Sequence, residues 1–127
     1  MKINETAQAA HENARNHGFW EDIDSDSAVA VRIALIHSEA SEALECDRKD
    51  KHCLMSPVGT KEMCRQDDEE FANDFKNYIK DTFEDELADI IIRVMDLAAW
   101  KGIDLEAHIA AKMRYNSLRE HKHGKKY

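Results

Sequence analysis

The chain has 127 residues, enough for one domain with a core and small enough for its helices to need a partner subunit. Hydrophobic residues make up 43% and charged residues 35%, with no apolar run of membrane-spanning length, which excludes a transmembrane protein. The formal charge of −8 argues against binding to nucleic-acid backbones, and the N-terminal MKINETAQAAHENARN lacks the apolar core of a signal peptide, so a cytoplasmic protein is expected.

Strand signals are nearly absent, whereas helix punctuation is plentiful. A first helix is predicted over about Asn4 to Asn16, stopped by Gly18, with Phe19 and Trp20 following. DSDS, Asp24 to Ser27, offers N-caps for a second helix that runs to about Arg48. In it Val29, Ile33, Ile36, Ala40, Ala43 and Leu44 share one face, and Ala28, Val31 and Leu35 widen the apolar surface, so burial on more than one side is expected. Cys46 to Asp68 breaks the pattern and holds Pro57 and Gly59; it reads as a loop insert at about 46–68, long enough to be a lid or binding loop. Phe71, Phe75, Tyr78 and Ile79 mark a short third helix. DTFE, Asp81 to Glu84, matches a capping box opening the next, with Phe83, Leu87, Ile90, Ile91, Val94, Leu97 and Ala98 as its apolar face. Gly102 ends that helix, and Asp104 caps a last one that turns Leu105, Ile109 and Met113 inward. The expected architecture is all-α: one domain over 1–127, a bundle of four to five helices that oligomerises through helix packing.

Three cysteines, Cys46, Cys53 and Cys64, read as reduced thiols; with His52 their spacing matches no common zinc pattern. The acids are more informative. Glu39 and Glu42 lie one turn apart on one helix face, and Glu86 and Asp89 repeat the arrangement later. Spacing alone is weak: with 26 acids in 127 residues about five such pairs arise by chance, and seven occur. Context separates these two pairs, because both adjoin apolar stripes. An acid beside a core must be paired, hydrogen-bonded or bound to a metal. Four converging carboxylates suit Mg²⁺ or Mn²⁺; internal salt bridging, such as Asp89 with Arg93, is the alternative. The C-terminal end is basic, with Lys112, Arg114, Arg119, Lys122, Lys125 and Lys126 against Glu120. No P-loop, dinucleotide fingerprint, HExxH or GxSxG occurs, and the single ExxH, Glu120 and His123, does not make a di-iron set.

The succession NHGFWE, HSEASEALE, DELADIIIRVMDLA and GIDLEAHIAAKMRYNSLREHKHGKK resembles the MazG-like nucleotide pyrophosphohydrolases of the all-α NTP pyrophosphatase superfamily. The resemblance implies Mg²⁺-dependent hydrolysis of a nucleoside triphosphate, a deoxynucleotide or non-standard nucleotide, to monophosphate and pyrophosphate, by water attack at the α-phosphate. It implies Glu39, Glu42, Glu86 and Asp89 as metal ligands and catalytic residues, with Lys112, Asn116 and Arg119 near the phosphates, Lys122 and Lys125 as softer candidates, and Trp20 near the base; the alternative for Trp20 is a core or interface aromatic. It further implies a homodimer or homotetramer; charge and hydropathy predict no nucleic-acid or membrane partner. Two departures stand out: Ser38 where the family often has an acid, with Glu45 a substitute, and a longer spacing from Glu42 to Glu86. The rival expectation is a non-catalytic helical interaction module whose acids form salt bridges.

Overall fold

A computed structural model of the chain describes residues 2–127. All regular structure among them is helical: α1 (Ile3–Asn16), α2 (Ala28–Arg48), α3 (Pro57–Met63), α4 (Asp68–Tyr78), α5 (Phe83–Trp100), α6 (Leu105–Ser117) and a 3-10 turn (His121–Gly124). No helix is long and apolar enough to cross a membrane. The six helices exceed the four to five expected because α3 lies inside the expected loop. The proline that suggested a loop starts a helix instead. Ser56 is its N-cap, accepting the Gly59 N–H at 3.1 Å, and Pro57 occupies the first turn, where a missing N–H costs nothing.

A second correction concerns the start of α5. Its box is shifted by one residue from Asp81 and Glu84: Thr82 Oγ1 accepts the Asp85 N–H at 3.4 Å, and Asp85 Oδ2 accepts the Asp81 N–H at 2.9 Å. Glu84 is thereby free to accept the Cys53 N–H at 2.7 Å, which ties the insert to α5.

Three helices end in the same way. After α1, α2 and α5 a residue with positive φ (Gly18, Asp50, Gly102) donates to the carbonyl of the second-last residue of its helix, and the next residue closes the wider ring: Phe19 N–H to Ala14 O, Lys51 N–H to Cys46 O and Ile103 N–H to Ala98 O. Glycine was expected at two of these sites; the third uses Asp50.

Packing divides the chain into two compact units, Asp24–Arg93 and the chain through Ile23 joined with Val94–Tyr127; α5 contributes to both. In the second unit the N-termini of α1 and α6 satisfy one another. Glu106 Oε2 accepts the Ile3 N–H at 3.1 Å, Asn4 Oδ1 accepts the Glu106 N–H at 3.2 Å, and Asn4 Nδ2 donates to Asp104 Oδ1 at 2.8 Å. Asp104 also caps α6 through the Ala107 N–H, as its position implies.

The unit Asp24–Arg93 holds α2, α3, α4 and the start of α5. Its buried side chains are small or sulfur-bearing, Ala28, Ala43, Cys46 and Met63, together with Ile79 and two glutamates. The apolar face expected to be buried on α2 is so only in part: Ala43 is buried and Ile36 half-buried, but Val29, Ile33 and Leu44 are 39%, 42% and 51% exposed. The alanine side faces inward because it lets helices approach closely, and the branched side chains are left outside. Leu87 and Ile91 of α5 are likewise exposed, as is Met113 of α6, so those three predicted inward positions are corrected too. Among the described residues no large side chain is fully buried.

Candidate functional site

The two buried charged side chains among the described residues are Glu39 on α2 and Glu86 on α5, 7% and 8% exposed. One turn beyond Glu39, Glu42 remains exposed to water. One carboxylate oxygen from each of the three lies within 4.8 Å of the others. The spacing explains the arrangement: i,i+3 puts Glu39 and Glu42 on one strip of α2, and α5 brings Glu86 against it.

This proximity disturbs all three acids. Burial pushes the Glu86 carboxyl up to about 7, helped by the charges of Glu42 and Glu39. Glu42 is raised by its hydrogen bond with Glu39 and by the Glu39 charge. Glu39 feels burial most, which raises it, yet the hydrogen bonds from Glu42 and Arg93 together bring it below its ordinary value. Arg93 Nε donates to Glu39 Oε1 at 2.5 Å. The expected Asp89–Arg93 pair within α5 is therefore replaced by a bond between helices. Asp89 stands outside the three-carboxylate group; burial raises it, with Asp85 and Glu39 adding to the effect. Glu45 is held low by Lys49, which it bonds at 3.1 Å, and does not join the group either. Ser38 is exposed.

Chemically the group is an oxygen-only donor set with two buried members and one open side. Like charges and burial both disfavour its ionised form, and one guanidinium offsets them. A hard divalent cation reverses both effects, so the donor set fits Mg²⁺ or Mn²⁺. Beside it lies a cavity of about 240 Å³ whose lining joins Glu42 and Glu86 to Glu45, Lys49, Lys51 and Asp81. Sequence reasoning missed the two lysines. They follow the last turn of α2, and only the αL residue Asp50, in a position usually marked by glycine, folds them back.

The remaining site candidates belong to the other packing unit. The cationic ends of Lys112 and Arg119 lie 5.3 and 5.6 Å from the centre of the Tyr115 ring, so positions 112, 115 and 119 form one stripe. Arg119 Nη2 also donates to the His123 carbonyl at 3.3 Å. Asn116 has a buried Oδ1 without a hydrogen bond. Lys122 and Lys125 are exposed, Lys122 with a left-handed φ of 51°. Trp20 stacks on Trp100 at 4.9 Å between ring centres and meets the His11 ring edge-on at 5.2 Å. Its Nε1 donates to Asp96 Oδ1 at 2.9 Å, and His11 Nδ1 lies 2.7 Å from the same oxygen. The indole is thus held in a packed cluster, in line with the packing alternative for Trp20; its partners His11, Asp96 and Trp100 were not foreseen. All three cysteines are free, and His52, Cys53 and Cys64 form no metal-ligating group among the described residues.

Comparison with family models, with curated proteins and with solved structures yields no match for the chain.

Proposed function

We propose that the protein is a Mg²⁺-dependent nucleoside triphosphate pyrophosphohydrolase of the MazG-like type, releasing nucleoside monophosphate and pyrophosphate, with Mn²⁺ an alternative cofactor. The observation that carries the reading is the group formed by Glu39, Glu42 and Glu86, three carboxylates within 4.8 Å, two of them buried. Glu39 and Glu86 would hold the ion, Glu42 would complete the set from the open side, and Asp89 would act as a nearby carboxylate that adjusts the charge. When bound, the ion supplies charge neutralisation at the phosphates and a water of lowered pKa. Glu42 is the member reachable from solvent, which suits it to accept the proton of the attacking water. Arg93 keeps Glu39 oriented and ionised.

Lys112, Asn116 and Arg119, with Lys122 and Lys125, belong to the other packing unit and carry the polar and positive groups that the resemblance assigns to the phosphates. Trp20 acts in packing rather than at the base, because its ring face and its N–H are already used. The exposed apolar strips of α2 and α5 support assembly as a homodimer or homotetramer, since the chain alone buries no large side chain fully.

A second reading, a non-catalytic helical module, draws on one observation: the Glu39–Arg93 pair already provides a structural partner for one buried acid. A panel of ribo- and deoxyribonucleoside triphosphates with Mg²⁺ or chelator, with the products identified, separates the two. Metal-dependent monophosphate and pyrophosphate are expected. Diphosphate and phosphate would place the attack elsewhere, and no turnover of any nucleotide would favour the module.

A further inference from the structure

The cavity beside the carboxylates is lined by a lysine, Lys51, that forms no ion pair among the described residues. Lys51 follows Asp50, whose φ of 52° turns the chain back at the end of α2. Its N–H donates to the Cys46 carbonyl at 2.9 Å, and its carbonyl accepts the Phe83 N–H at 2.9 Å. Residue 51 is therefore tied by its backbone to the last turn of α2 and the first turn of α5, the two helices that supply Glu42 and Glu86. The other charges at the cavity are matched in pairs. Glu45 bonds Lys49 at 3.1 Å, and Asp81 bonds Lys80 at 2.9 Å. Among the described residues Lys51 forms no ion pair, yet it lines the same cavity as Glu42 and Glu86.

We infer that this cavity is the subsite for the phosphate chain of the substrate, and for pyrophosphate after cleavage, with Lys51 as its principal contact and Lys49 as a second. The inference rests on the proposal that the carboxylates hold a divalent ion. The cavity, at about 240 Å³, is smaller than the roughly 300–1,000 Å³ of pockets that enclose a whole ligand, and so suits a phosphate chain with the nucleoside outside. Its lining carries four acids, Glu42, Glu45, Asp81 and Glu86, against two lysines. Without the ion it repels a phosphate; an ion held by Glu42 and Glu86 would offset the acids and leave Lys51 to contact the anion. Binding of the anion is therefore strictly metal-dependent, and Lys51 acts on the anion without acting on the metal.

The test is calorimetry with the full chain, titrating Mg²⁺ alone and then inorganic pyrophosphate in the presence and absence of Mg²⁺, for wild type, Lys51→Met and Lys51→Arg. The wild type is expected to bind pyrophosphate only with Mg²⁺. Lys51→Met should weaken that binding roughly ten- to hundredfold, the worth of a charge-assisted contact, with Mg²⁺ affinity and helical circular dichroism unchanged, and Lys51→Arg should restore most of it. Wild-type pyrophosphate affinity in Lys51→Met, with Mg²⁺ binding intact, would overturn the subsite while leaving the metal centre standing. Pyrophosphate binding by the metal-free protein would also overturn it. Absence of Mg²⁺ binding in the wild type would instead remove the metal centre, and the subsite with it.

Discussion

The molecule withdraws carboxylates from water in two places and treats them differently. Asp96 receives an indole N–H from Trp20 and faces the His11 ring nitrogen, so donors surround one acid. Glu39, Glu42 and Glu86 instead face one another, with Arg93 as the one cation bonded to them among the described residues. The first arrangement is complete as it stands: a half-buried acid with its hydrogen bonds made stabilises packing. The second concentrates like charge and leaves it under-compensated, which costs stability unless a further cation is present. The difference separates an acid whose partners are complete from acids that the proposed function assigns to a metal ion.

Substitutions at the two sites should therefore diverge. Glu39→Gln and Glu86→Gln are expected to lower triphosphate turnover by about a thousandfold or more while circular dichroism stays helical, since each removes a proposed ligand. Asp89→Asn, outside the three-carboxylate group, should cost about ten- to hundredfold, as an outer partner of a metal site does. Steady-state kinetics beside a folding control reads all three; near-wild-type turnover in Glu86→Gln would erase the contrast.

The pH response sharpens it further. Glu86 has its carboxyl raised to about 7 from an ordinary 4.5, so the folded chain holds a proton that the unfolded chain has released. That contribution is full below about pH 4.5 and is lost as pH rises through about 7. Glu42 and Asp89 are raised as well and act in the same direction; Glu39, lowered, acts in the opposite one. The metal-free protein should lose on the order of 1–3 kcal/mol between pH 5 and pH 8 from this group, and Mg²⁺ at pH 8 should restore it. Denaturant melts at the two pH values, with chelator and with Mg²⁺, measure this directly. A metal-free protein equally stable at both would show that the carboxylates are not strained.

At the other cluster, Trp20→Phe keeps the ring but deletes the donor to Asp96. It should cost about 1–2 kcal/mol in stability and leave turnover within about twofold. A large loss of turnover at unchanged stability would return Trp20 to the substrate site. The smallest effect is expected at Gly102, where an added Cβ meets nothing within 4 Å but φ is +67°. Gly102→Ala should lower stability by about 1 kcal/mol through backbone conformation alone.

The helices were legible because their ends are marked by local chemistry: Gly18, Gly102, Asp104 and the apolar periodicity act within a few residues of themselves. The pairing of Glu39 and Glu42 was legible for the same reason. What the sequence concealed depends on atoms distant along the chain. Arg93 bonds Glu39 rather than Asp89 because α2 presents a closer acid than α5 does. Lys51 enters the cavity through a helix ending that uses Asp50 in place of glycine. Pro57 looked like a breaker until Ser56 was seen to cap the helix it opens. The face of α2 was partly misjudged because both of its sides are apolar, and periodicity does not say which one alanine will bury.

The central claim, that Glu39, Glu42 and Glu86 hold a divalent cation, is tested most directly by titrating the protein into Mn²⁺ at pH 8 and following the paramagnetic signal of the free ion. The account predicts that wild type and Trp20→Phe remove the signal and that Glu86→Gln does not. A signal left unchanged by the wild type, or removed equally by Glu86→Gln, would contradict it.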